Sequence, residues 1–130
     1  MYVLDTNILI YFFKGMGKVA ERLLSIAPKE IGLPAIVLFE ILVGIEKSGS
    51  SEKRKQLLEQ LANVVNILPF GHKEAQYAAE IRSNLERQGR PIGPYDILIA
   101  ATALSNNSTL ITHNTKEFSR IEGLQTEDWY

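Results

Sequence analysis

At 130 residues, with 45% hydrophobic and 22% charged side chains and no cysteine, the chain is expected to form one compact soluble domain that relies on neither disulfides nor thiolate-bound metal. The formal net charge of -1 excludes a whole-molecule field that would draw in a polyanion, so any nucleic-acid contact has to rest on a local cluster of Lys and Arg. The chain starts without a basic leader, and its apolar run 8–13, bracketed by Asp5 and Lys14, is too short for a signal core or a membrane span, which points to a reducing cytoplasm.

Residues 2–4 read as a short aliphatic strand, followed by helical stretches over about 7–14 and 18–26. A weaker strand over 30–33 precedes helices over 35–47 and 51–62, and 64–68 is a second clear β-branched run. Helices over 73–88 and 94–105 lead into a strand at 109–112, with a short helical turn after Thr112. Residues 48–51, with the sequence Ser-Gly-Ser-Ser, and the Gly- and Pro-rich stretch 88–94 are the flexible connections. Strands separated by helices are the sequence form of a parallel sheet covered on both faces, and four buried strands are predicted.

In such sheets ligands bind beyond the carboxyl ends of the strands, where Asp5 and Asn114 fall. Asp96 instead opens a helix: Gly89 and Pro91 stop the one before, Pro94 suits the first turn, and free backbone N–H groups there favour an ionised acid.

Three acids stand alone among apolar residues. Asp5 ends Tyr2-Val3-Leu4, Glu40 is the one charge between Leu33 and Ile45, and Asp96 leads into Ile97-Leu98-Ile99-Ala100-Ala101. A buried carboxylate either takes up a proton or finds a cation, and three brought together favour the cation. Each also has a plainer role: Asp5 as a helix cap, Asp96 as a first-turn acid, Glu40 as half of an ion pair. Glu40 is the hardest to explain away, because a helix starting near Ala35 puts it on a face with Ile36, Val37, Val43 and Gly44.

Oxygen ligands, with His72 and His113 the only imidazoles and neither at metal-binding spacing, favour Mg²⁺ or Mn²⁺ over Zn²⁺. Mg²⁺ binds phosphate oxygens, so the chemistry implied is at phosphorus. Asn114 and Glu117, after the last strand, each either complete the oxygen set or serve as a cap and a solvated acid. Thr6, Asn7 and Thr112 stand beside the acids, placed to orient ligands or waters, although capping alone also explains them.

Leu4-Asp5-Thr6-Asn7, Glu40 in a helix, Ile92-Gly93-Pro94-Tyr95-Asp96-Ile97-Leu98-Ile99-Ala100 and Thr112-His113-Asn114-Thr115-Lys116-Glu117-Phe118 together resemble a PIN-domain nuclease. More narrowly, the chain is similar to the VapC toxins of bacterial VapBC toxin-antitoxin systems. The likeness spans residues 1–130 as a single PIN domain, including Gly89-Arg90-Pro91 and the closing Gly123-Leu124-Gln125-Thr126-Glu127-Asp128-Trp129.

The resemblance implies a three-layer α/β/α sandwich with a central parallel sheet, a homodimer, and a Mg²⁺- or Mn²⁺-dependent endoribonuclease acting on RNA, transfer RNA in particular. It implies that Asp5, Glu40 and Asp96 hold the metal, with Asp5 and Asp96 taken as the ligands and Glu40 close by; Glu117, ranked ahead of Asn114 as an ionic contributor, completes an expected catalytic set of Asp5, Glu40, Asp96 and Glu117. It also implies a neutralising VapB-type antitoxin, with DNA reached only through that partner. Many PIN domains have a fourth Asp where this chain has Asn114, which lowers the charge at that corner unless Glu117 turns inward.

Carboxylates alone repel phosphate, so a basic rim is expected, with Arg82, Arg90 and Lys116 as its candidates and Arg87 and Arg120 near them. Tyr95 reads as a buried aromatic in preference to a base-stacking one. Ile10, Phe12, Phe13, Leu23 and Leu24 are more apolar surface than two short helices need, which suggests docking of the partner. Two other classes compete. A haloacid-dehalogenase-type phosphatase would need an acid where Asn7 stands, and a non-catalytic RNA-binding module would leave Glu40 and Asp96 without a purpose.

Overall fold

The computed structural model describes residues 1–49 and 52–130. In chain order it runs β1 (Tyr2–Leu4), α1 (Thr6–Lys14), α2 (Val19–Leu24), β2 (Ile31–Pro34), α3 (Ala35–Ser48), α4 (Glu52–Ala62), β3 (Asn66–Leu68), α5 (His72–Arg87), α6 (Pro94–Ser105), β4 (Thr109–Ile111), α7 (Thr115–Phe118) and β5 (Thr126–Glu127). The strands form one sheet in the order β3-β2-β1-β4-β5, and every neighbouring pair is parallel. Helices cover both faces, giving the expected three-layer α/β/α sandwich.

The core explains why the central strands are short and aliphatic. Val3, Leu33, Leu110 and Ile111 are fully buried, as are Ile8 and Leu9 of α1 and Ile99 to Ala101 of α6. Helix α6 is buried on nearly every side, so Ala, Ser and Thr alternate with Ile and Leu along it to let the neighbouring elements approach.

Chain order reverses around β1: the next strands, β2 and β3, lie on one side of it and the later β4 and β5 on the other. The switch point between β1 and β4 opens a crevice beyond their carboxyl ends. Asp5 leaves β1 there with its N–H donating to the Ile111 carbonyl at 3.0 Å, so the first acid is set by sheet register.

Several elements differ from the sequence reading. A fifth strand, Thr126–Glu127, pairs with Leu110 and Ile111; two polar residues carry no alternation from which to predict it. The run expected as a strand from residue 64 starts pairing only at Asn66, because the N–H groups of Val64 and Val65 are spent on the Leu61 carbonyl that closes α4. That strand is also an edge, with Asn66 and Ile67 exposed, where a buried strand was expected. The expected flexible connection at 48–51 falls partly outside the described residues, at Ser50 and Ser51.

Two polar links fasten the outer layers. Glu74 is buried, its Oε1 accepting the Gly71 N–H at 2.8 Å and its Oε2 accepting the Ser105 hydroxyl at 3.0 Å, which joins the start of α5 to the end of α6. At the other edge Trp129 is buried against Tyr2, with ring centroids 5.4 Å apart, and its indole N–H donates to Glu127, which also receives Arg22 at 2.6 Å.

These hydrogen bonds, the Gly71 N–H foremost, hold the Glu74 carboxyl below its ordinary 4.5. Its stabilisation is therefore present above about 4.5 and is lost as pH falls through the lower folded value. Glu74→Ala is expected to lower unfolding free energy by about 1–3 kcal/mol at neutral pH. Urea denaturation across a pH series checks this, the gap between variant and parent narrowing in acid.

Candidate metal centre

Each acid is delivered by the end of an element. Asp5 is the N-cap of α1, only 4% exposed, and its Oδ1 accepts the Thr6 N–H at 2.7 Å. Its Oδ2 accepts the hydroxyl of Thr112 at 2.8 Å, across the switch point from the end of β4. The same side chain thus caps α1 and reaches the end of β4.

Glu40 comes from α3. Its Oε1 accepts the Thr6 hydroxyl at 2.7 Å, which ties α3 to the first turn of α1. The helix face differs from the expected one: Val37, Ile41 and Ile45 are buried, Val43 and Gly44 are exposed, and Glu40 lies half-buried at the border. From there its charge acts on both Asp5 and Asp96.

Asp96 lies in the first turn of α6, after Pro94 at the helix start, and is half-buried. Burial, then the charges of Asp5, Glu117 and Glu40, and a hydrogen bond to Glu117 push its carboxyl up to about 7. The helix end, expected to favour the ionised form, is outweighed by desolvation and three acidic neighbours. Burial also raises Asp5 against the opposing hydrogen bonds from Thr112 and Thr6, with Glu40 and Glu117 adding to the rise.

The fourth corner follows β4. The Thr112 hydroxyl accepts the Asn114 N–H at 3.0 Å, and the Asn114 amide donates to Glu117 Oε2 at 2.8 Å. Asn114 occupies the N-cap position of α7, yet its side chain turns to Glu117 and does not cap the turn.

Asp5, Glu40, Asp96 and Glu117 thus share one electrostatic neighbourhood, with Thr6, Thr112 and Asn114 as the ties. Among the described residues the ion pairs are Arg22 with Glu127, Arg82 with Glu86 and His113 with Asp128, so none neutralises these acids. Nor do three acids close into a finished cage among those residues. An all-oxygen donor set at a water-accessible edge fits Mg²⁺ or Mn²⁺.

The other expected residues are placed less centrally. Asn7 is exposed at the start of α1, and Arg90 and Lys116 are exposed on the loop before α6 and on α7. Arg82 is on α5, paired with Glu86 at 2.9 Å, and Arg87 bonds Ser83 and Asn84. Arg120 donates to the Pro91 carbonyl at 3.1 Å, tying the loop before α6 to the segment after α7. Tyr95, expected to be buried, is 46% exposed and edge-on to Phe39, their centroids 5.8 Å apart.

Two basic residues were not singled out by the sequence. Lys14 and Arg54 line a cleft of about 180 Å³ with Glu40, Ile10, Phe13, Ile41, Gly44 and Ile45. Only the packing of α1, α3 and α4 brings them together, so no spacing in the chain signals it.

The model of the PIN domain matches residues 2–124. The chain is 34% identical to the tRNA(fMet)-specific endonuclease VapC of Shigella flexneri over 98% of this chain and 97% of that one. It is 40% identical to the ribonuclease VapC1 of Haemophilus influenzae strain R2866, over 99% and 98%. Among solved structures, VapBC2 from Rickettsia felis bound to a DNA fragment from their promoter superposes with a TM-score of 0.91 at 37% identity, over 99% of this chain and 98% of that one. The chain belongs to the PIN-domain family and, within it, to the VapC group.

An acid whose folded value is raised stabilises the fold below its ordinary 3.8, and that contribution is lost as pH rises through about 7. Metal-free Asp96→Asn is therefore expected to melt higher than the parent at pH 8, by roughly 3–5 °C, with the gap closing in mild acid. Differential scanning calorimetry in chelator reads it.

Proposed function

We propose that this protein is the toxin of a type II toxin-antitoxin pair, a divalent-metal-dependent endoribonuclease that hydrolyses phosphodiester bonds in RNA, with transfer RNA as its substrate. The observation that carries the reading is the cluster of Asp5, Glu40, Asp96 and Glu117 at the switch point with no basic partner among the described residues. VapC relatives named as ribonuclease and tRNA(fMet)-specific endonuclease support the reaction and the substrate class.

Asp5 and Asp96 would hold the ion, Mg²⁺ with Mn²⁺ able to substitute. When bound, the ion lowers the pKa of a water and offsets phosphate charge. Thr112 fixes one oxygen of Asp5 and the Thr6 N–H fixes the other, so the carboxylate is oriented before any ligand arrives. Glu40, aimed by the Thr6 hydroxyl, would take the proton released as water attacks phosphorus, while the bond from phosphorus to the 3′ oxygen breaks and that oxygen leaves as a hydroxyl, taking a proton from solvent. Asn114 keeps Glu117 turned towards the same centre. Arg90 and Lys116 on the exposed rim position the RNA backbone, and Arg82, engaged by Glu86, contributes less.

Solved relatives include VapBC complexes from Rickettsia felis, Salmonella typhimurium and Haemophilus influenzae, the first two bound to DNA, which supports a VapB-type antitoxin here and DNA contact through that partner. The cleft beside Glu40 supplies an apolar floor from Ile10 and Phe13 with Lys14 and Arg54 at its edge, suited to a partner segment with apolar and acidic groups. Leu24 on α2, 77% exposed, is a further apolar residue open to a partner. Phe39, Leu42, Val43 and Tyr95 form an exposed apolar patch on α3 and α6 that suits a homodimer interface. No described helix is long and apolar enough to cross a membrane, and we place the protein in the cytoplasm with its substrate.

Antitoxin-free protein incubated with total transfer RNA is expected to cleave in Mg²⁺ and not in EDTA, with Asp5→Ala and Asp96→Ala inactive and Thr112→Val lowered about 10–100-fold. Denaturing gels read the products. Binding without cleavage under every condition would favour a non-catalytic RNA-binding module, and equal cleavage by the Asp variants would mark a contaminant.

A further inference from the structure

The segment after β4 has two faces. Thr112 bonds Asp5 and Asn114 bonds Glu117, while His113, at the bend between them, turns to a separate set of partners. There the imidazole stacks on Tyr130, centroids 4.3 Å apart and planes 26° from parallel, and meets the edge of Tyr11 at 5.9 Å. Its Nδ1 lies 2.8 Å from Asp128 Oδ2; an ionised carboxylate only accepts, so the ring carries a hydrogen on Nδ1 and donates it.

The far side of this contact is itself anchored. Asp128 Oδ1 accepts the Tyr130 N–H at 2.9 Å, and the Tyr130 carbonyl accepts the Lys18 N–H at 2.8 Å. A Cβ at Gly17, whose φ is +62°, would lie 2.5 Å from that carbonyl, so the close approach requires glycine. Tyr130 also packs edge-on against Tyr11 at 4.9 Å. Tyr11 belongs to α1, the helix whose N-cap is Asp5, so the contact links the segment after β4 to that helix.

We propose that His113, Asp128 and Tyr130 form a clamp, seated on Tyr11, that positions the Thr112–Glu117 corner of the metal centre. The inference rests on the reading of these acids as a metal site. None of the three touches the acids; they act through the backbone on either side of His113, setting the rotation of Thr112 and Asn114. With the clamp closed, ordering of that corner is completed on folding and does not weaken metal binding. The side chains of His113 and Asp128 are 45% and 36% exposed, so the pair adds little to global stability.

The test is Mn²⁺ binding to metal-free protein, followed by electron paramagnetic resonance without RNA, with parent, Asp128→Ala, Tyr130→Ala and Tyr130→Phe. Both alanine variants are expected to bind Mn²⁺ about tenfold more weakly. Their melting temperatures should change little, and Tyr130→Phe, which keeps the stacked ring, should match the parent. RNA cleavage by the alanine variants should recover when Mn²⁺ is raised to saturation. Asp128→Ala carries the comparison alone if Tyr130→Ala does not fold. Unchanged Mn²⁺ affinity in a folded alanine variant, or an equal loss in Tyr130→Phe, would overturn the clamp. Failure of the parent to bind Mn²⁺ in a manner dependent on Asp5 and Asp96 would overturn the metal reading and the clamp with it.

Discussion

Mutual repulsion among carboxyl groups held at one edge of a parallel sheet sets the terms for this molecule. Asp5 is buried at the end of β1, Asp96 opens α6 beside it, and Glu40 and Glu117 add charge from two further elements. A fold selected only for stability would place an Arg or Lys among them or replace one with an apolar residue. Instead the acids are aimed by neutral groups, Thr6, Thr112 and Asn114, which fix orientation without supplying countercharge. The raised carboxyl of Asp96 is the cost this leaves, and in the reading proposed above a hard divalent cation would relieve it.

The sheet makes this crowding possible. Because β1 lies between β2 and β4, the segments leaving β1 and β4 diverge over the same crevice, and Leu4 registers with Ile111 so that Asp5 and Thr112 follow side by side. Residues 107 positions apart thereby share a hydrogen bond. The helices then bring the remaining acids: α3 is tied to α1 through Thr6 and Glu40, while α6 is held at its far end by Glu74. Loosening any of these packings would move an acid without touching it.

Much of this was legible in the residues. A charge inside an aliphatic run is conspicuous because leaving it unpaired is costly, which is why Asp5, Glu40 and Asp96 could be named before any coordinates. Helix punctuation by Gly89, Pro91 and Pro94 likewise placed Asp96 in a first turn, as found. What stayed hidden depends on side chains meeting across distant elements. Lys14 and Arg54 reach Glu40's cleft only through helix packing, and Tyr95 reads as core from its neighbours yet stands on the surface against Phe39. Strand β5 is too short and polar for any pattern, and a lone histidine without metal-binding spacing carries no sign of the contacts His113 makes with Asp128 and Tyr130.

The most direct measurement is diffraction at a wavelength sensitive to manganese, from crystals of the antitoxin-free protein equilibrated with Mn²⁺. The expected result is one or more anomalous peaks bonded to carboxylate oxygens of Asp5 and Asp96 at about 2.0–2.2 Å, with Glu40 and Glu117 turned to the same point. Carboxylates that remain unliganded at saturating Mn²⁺, or that pair with basic side chains while manganese binds elsewhere, would contradict it.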